Sequence, residues 1–147
     1  MCWVERAKEL FNVSRPEHFT NWTHCDECSE HDETLRLATI DSIGMQELGN
    51  PGWDPICFSS IEGKIFYMPV LIRLCIETIN KGLYFESFLF HVTGNGEGND
   101  LVNSCSSEQR QFIRSFLEYM ITEYPDVIDQ ANCTDDALKA IEIWSKP

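Results

Sequence analysis

The sequence predicts a predominantly helical α+β domain carrying one small antiparallel β-hairpin. Three features lead there. Several stretches repeat apolar residues every three to four positions, two short runs of β-type residues flank Gly63, and a strongly apolar segment follows Pro69. In residues 2–12, Trp3, Val4, Ala7, Leu10 and Phe11 share one helical face. Residues 14–23 read as irregular, because Pro16 disfavours a continued helix. Residues 26–38 favour a helix with acids in its first turns and Arg36 near its end, as the helix dipole prefers. Residues 41–48 suit a short helix capped by Asp41 or Ser42 and stopped by Gly49.

A dense group of turn residues, 50–55, precedes the expected hairpin strands at 56–59 and 64–68. Pro69 then opens a helix that is apolar on nearly every side (Val70, Leu71, Ile72, Leu74, Cys75, Ile76, Ile79), the pattern of a central buried element. Residues 83–92 fit a strand or a helix equally, and 94–100, with three glycines, read as a flexible loop. Residues 107–124 are the clearest helix. Phe112, Ile113, Phe116, Leu117, Met120 and Ile121 form its stripe, Ser106 and Gln109 have capping-box spacing, and Pro125 ends it. A last helix, 135–144, follows Thr134 as its expected N-cap. The expected organisation is a single domain over 1–147.

The chain has 147 residues, with 24 acids against 11 Lys and Arg, a formal charge of −13 and a pI near 4.5. With 43% hydrophobic residues it can bury a core, which argues against wholesale disorder. Such a charge argues against direct binding of nucleic acid or anionic lipid, which needs Lys and Arg for phosphate. No apolar stretch is long enough to span a bilayer and no signal peptide is visible, so the expected location is the cytoplasm. Seven cysteines without regular spacing then read as reduced thiols or metal ligands. Cys57 and Cys75, in apolar runs, read as buried small hydrophobes.

Chemistry is most concentrated in residues 24–32, His-Cys-Asp-Glu-Cys-Ser-Glu-His-Asp. A Cys-x-x-Cys pair brings two thiolates to one ion, and tetrahedral zinc accepts imidazole as readily as sulfur. The candidate ligands are Cys25, Cys28, His31 and His24, with His91 the best distant completion, and zinc is the expected ion. Two geometries compete. A continuous helix puts His24, Cys28 and His31 on one face; a knuckle-like turn pairs Cys25 with Cys28, and His31 joins from the helix that follows. Against both stands an acidic helix whose Cys and His merely cluster. A redox dithiol is a third reading, weakened by surrounding acids that should raise both thiol pKa values and by the lack of a thioredoxin-like context.

In residues 49–58, Trp53 and Asp54 are candidate partner-binding residues on a turn. The competing structural reading has Trp53 plugging the core and Asp54 capping local N–H groups. His91, between Phe90 and Val92, equally suits a satisfied core histidine. No phosphate loop or Gly-x-Ser-x-Gly elbow is present, so the chain leans away from being an enzyme. Between Arg114 and Lys139 lie six acids (Glu118, Glu123, Asp126, Asp129, Asp135, Asp136) and no base. Such a block serves solubility first, but it also suits docking on a basic protein, with Glu118, Glu123, Asp126 and Asp129 as contacts.

Taken together, the motifs at 24–32 and 49–58, then Phe88-Leu-Phe-His91 and a Ser-x-x-Gln helix start, resemble a family of small uncharacterised bacterial proteins. The resemblance covers about residues 22–122. It implies a bacterial or phage-borne cytosolic protein whose first two motifs belong to one site, and it carries no activity. The expected function is a small acidic binding or inhibitor module, zinc-stabilised, docking on a basic partner in an immunity or counter-defence role. The alternative is a zinc-dependent or thiol enzyme using Cys25, Cys28 and His31.

Overall fold

The computed structural model describes residues 2–146, and among them every regular element is a helix. The chain divides into two units, Met1–Leu74 and Cys75–Pro147. In the first unit, α1 (Trp3–Leu10) is short and buries Ala7, and Phe11 follows it into the interior. The irregular stretch after it leads to α2 (Asp26–Leu37), whose inward face is His31, Asp32 and Leu35.

The C-terminal end of α2 is held by side chains remote in sequence. Arg15 Nη2 donates to the carbonyls of Leu35, Arg36 and Ala38 at 3.0, 2.7 and 2.7 Å, and the Tyr67 hydroxyl donates to Leu35 and Ala38. These carbonyls have no partner within the helix, and a cation placed on them also complements the dipole. The Arg15 guanidinium lies 5.3 and 5.1 Å from the ring centres of Phe19 and Phe66.

Residues 41–44 are not helical, so the helix expected over 41–48 shortens to α3 (Met45–Leu48), where Glu47 accepts the Gly44 N–H at 2.8 Å. Thr39 and Ser42 bond to one another and to each other's backbone, which holds that segment in a turn.

The β-hairpin expected from 56–59 and 64–68 is absent: no strand occurs among the described residues, and the α+β expectation gives way to an all-helical class. Local chemistry accounts for the correction. The Asp54 carboxylate accepts the Ile56 N–H at 2.9 Å and Pro55 presets the backbone, so 55–58 closes into a 3₁₀ turn. Ser60 then accepts the Gly63 N–H at 3.2 Å and starts α4 (Ile61–Phe66). Gly63, read as a turn residue, is buried inside α4. A Cβ there would collide with Ser59 Oγ and lie 2.8 Å from the Phe19 ring. The apolar helix is present as α5 (Met68–Glu77), with Pro69 in its first turn and Val70, Leu71, Ile72, Leu74 and Cys75 buried.

In the second unit the ambiguous stretch 83–92 is helical, α6 (Phe85–Thr93). The glycine-rich stretch is ordered by Asn99, whose side chain donates to the carbonyls of His91 and Gly94 and accepts the Val102 N–H, capping α7 (Asp100–Ser104). The predicted capping box opens α8 (Ser107–Glu123), with both Ser106–Gln109 bonds formed. Pro125 ends α8 and also occupies the first turn of a further helix, α9 (Pro125–Gln130). Asn132, in the left-handed conformation, turns the chain into α10 (Thr134–Ile143). The Thr134 hydroxyl is not the expected N-cap; it donates to Asp129 at 3.3 Å. α10 packs on α6 and α8, and Trp144, 1% exposed, donates its indole N–H to the Val92 carbonyl at 2.9 Å.

Candidate metal centre

The residues before α2 make a turn closed by the His24 N–H on the Asn21 carbonyl at 3.0 Å. Cys25 is then the N-cap of α2: its backbone is extended and its sulfur accepts the Cys28 N–H at 3.4 Å. Cys28, one turn on, stands beside it, and its sulfur lies 3.8 Å from His24 Nδ1. His24 and Cys25 are exposed and Cys28 half-buried. One imidazole nitrogen and two sulfurs thus lie within 4.8 Å of one another, an arrangement able to hold a metal ion.

Of the two geometries open from sequence, the turn that pairs Cys25 with Cys28 is the one formed. Its imidazole comes from His24, before the helix. His31 is 1% exposed on the inward face of α2, with ring centres 4.4 Å from Phe58 and 4.6 Å from Trp53. It is not among the converging donors. His91 belongs to the second unit, buried on α6 with Nε2 3.4 Å from the Tyr84 hydroxyl.

The two thiols differ, which corrects the expectation that acids raise both. The Cys28 N–H, followed by His24, lowers the Cys25 thiol below its ordinary value. Cys28 moves the other way, first because it donates to Cys25 and next through desolvation, with Glu27 adding a smaller push. A cap position supplies oriented N–H groups at short range, which outweighs solvated carboxylates further off.

A second polar group, which sequence reasoning missed, supports this end of α2. The Asp32 carboxylate, 3% exposed, accepts the N–H groups of Phe19 and Thr20 at 2.6 and 3.1 Å through one oxygen. Its other oxygen lies 2.8 Å from His18 Nδ1. Burial by itself raises the Asp32 pKa, but His18 and the two backbone donors outweigh it and leave it lowered. His18 stacks on Trp22 at 4.6 Å, and the Thr20 hydroxyl donates to the Cys28 carbonyl at 2.6 Å. The loop at 18–22 is thereby strapped to the helix that carries both thiols. One signal was available: Cys28, His31, Asp32 and Leu35 stand at i, i+3, i+4 and i+7, so Leu35 marks the inward face and puts Asp32 on it.

The candidate partner contacts separate into two kinds. Asp54 is buried and caps the 3₁₀ turn, whereas Trp53 is 43% exposed. In the second unit Glu118, Glu123, Asp126 and Asp129 are all exposed, Glu118 pairing with Arg114 at 3.0 Å. Cys57, expected to be buried, is exposed; Cys75, Cys105 and Cys133 are buried. No helix among the described residues is long and apolar enough to cross a membrane. Compared with models of protein families, with curated proteins and with solved structures, the chain matches none of them.

Proposed function

We propose that the chain is an acidic, zinc-binding docking module for a basic protein partner. Zinc is held by His24, Cys25 and Cys28, and a fourth position is left to water or to the partner. The observation that carries this reading is the convergence of those three donor atoms within 4.8 Å. Two sulfurs and an imidazole select zinc over the hard cations, which prefer oxygen. The exposure of His24 and Cys25 favours binding over catalysis, because metal-activated water works in a shaped site from which solvent is excluded. The excess of 24 acids over 11 bases directs the module to a cationic surface, with fast, salt-sensitive association.

The test is elemental analysis of purified protein together with cobalt substitution. Wild type should carry one equivalent of zinc and show a thiolate-to-cobalt charge-transfer band; the Cys25→Ser/Cys28→Ser variant should lose both. Metal retained in full by that variant overturns the site. Partner capture at low and high salt tests the docking half, which fails if no basic protein is retained or if retention ignores ionic strength.

A second reading, a redox dithiol, is favoured by one observation: Cys25 caps α2 with its sulfur accepting the Cys28 N–H at 3.4 Å, a position that favours the thiolate. Zinc-free protein whose Cys25–Cys28 disulfide exchanges rapidly with glutathione would favour it.

A further inference from the structure

Two large aromatic side chains of the first unit, both packed against the His31 ring, remain partly at the surface. Trp53 is 43% exposed and Phe58 37%, on a segment that is otherwise fixed. The Trp53 N–H is bonded to the Asn50 carbonyl, Asp54 caps the turn, and Pro55 and Ile56 are buried. Behind both rings lies His31, 1% exposed, with neither ring nitrogen in a hydrogen bond. The nearest charge is Glu27 Oε1, 3.7 Å from His31 Nε2, too long for a hydrogen bond; its side chain is 42% exposed. A buried imidazole without partners is unusual and costly. What this corner lacks is a donor that can sit against aromatic faces.

Charge decides which donor. From residue 16 to residue 35 there are six acids (Glu17, Asp26, Glu27, Glu30, Asp32, Glu33) and no Lys or Arg, and all but the half-buried Glu27 and the buried Asp32 are exposed. A cation is drawn here and a phosphate is repelled. Among cationic side chains, guanidinium alone is planar and offers a fork of N–H groups, so it can stack on an aromatic face while donating sideways. We propose that Trp53, Phe58 and Glu27, backed by His31, form the receptor for an arginine side chain of the basic partner. The guanidinium lies on the exposed aromatic surfaces, and its N–H groups point to the half-exposed Glu27 carboxylate. This deepens the docking reading and rests on it; it is independent of whether zinc is bound.

The 147-residue chain is titrated at low salt with two capped peptides, Arg-Gly-Arg-Gly-Arg and Lys-Gly-Lys-Gly-Lys, by calorimetry and by NMR of the histidine ring signals. The arginine peptide should bind about fivefold more tightly than the lysine peptide and shift the His31 ring signals. Trp53→Ala and Glu27→Gln should each weaken the arginine peptide about fivefold, while Asp126→Asn/Asp129→Asn, in the other unit, should leave it within twofold. Glu27→Gln, a surface change, keeps the test valid should Trp53→Ala unfold. Equal weakening by all three variants, or no arginine preference, overturns the receptor while docking on an acidic surface stands. Failure of wild type to bind either peptide overturns the receptor as well, and salt-sensitive capture of a basic protein then decides the docking reading separately.

Discussion

Both units bury an apolar core, but the first adds polar groups that reach over long sequence separations, whereas the second is tied mainly through apolar helix faces. In the first, Asp32 gathers Phe19, Thr20 and His18, Arg15 and Tyr67 close the end of α2, and Arg73 donates to the carbonyls of Ile40 and Ile43. In the second, Phe88 meets Phe116 edge-on at 5.8 Å, α10 covers α6 and α8, and a buried long-range polar tie, from Trp144 to Val92, is itself made by an aromatic. Apolar packing is periodic, so it leaves a trace along the chain; a hydrogen bond from one side chain to a distant backbone leaves none.

The largest effect should come from the second unit. Trp144→Ala removes a fully buried ring and should cost about 4 kcal/mol in urea unfolding, whereas Trp144→Phe, losing mainly the indole N–H, should cost about 1 kcal/mol. Asp32→Ala is the counterpart in the first unit. It strands two buried N–H groups and should cost about 3 kcal/mol, with the earliest loss of amide signals at 18–22. A cost for Asp32→Ala below that of Trp144→Phe would break the comparison.

Acid should distinguish the same two regions. The Asp32 carboxylate has a lowered pKa in the folded chain, so its contribution is fully present above the ordinary aspartate value and is lost as pH falls through the lower, folded value. First-unit amides should therefore lose protection below about pH 4, and Asp32→Asn should flatten that dependence. Next in size is Arg15→Ala, which frees the α2 carbonyls and should cost about 1–2 kcal/mol, seen as fraying at 35–38.

The smallest effect on stability and the sharpest on chemistry is thiol labelling. With limiting iodoacetamide, Cys25 should react before Cys57, whose thiol, though exposed at the surface, is raised by partial desolvation from its neighbours and then by Asp54. Cys105, pushed up to about 12 by burial, and Cys75 should stay unmodified in the folded chain. Added zinc should protect Cys25 and Cys28 and leave Cys57 unchanged.

Legibility from sequence follows the same division. α8 with its capping box, α10 and the buried helix after Pro69 were readable, because spacing and caps are local. The false hairpin arose where Ile56, Phe58, Ile65 and Phe66 carry β-type side chains but Asp54, Pro55 and Ser60 set the backbone as turn and helix starts. At the candidate metal centre the Cys-x-x-Cys pair and His24 were legible as a cluster. That His31 turns inward, and that Trp53 remains outside, depends on how α2 meets the 55–58 turn, a contact with no local signature.

Asp32 gives the segment ahead of α2 an unusual property. Phe19 and Thr20 belong to no helix or strand, yet both amide protons point at a buried carboxylate and the Phe19 carbonyl is taken by the Ser60 N–H at 2.6 Å. In deuterated water these two sites should exchange as slowly as helical positions, and a protease should pass over a stretch whose composition invites cutting.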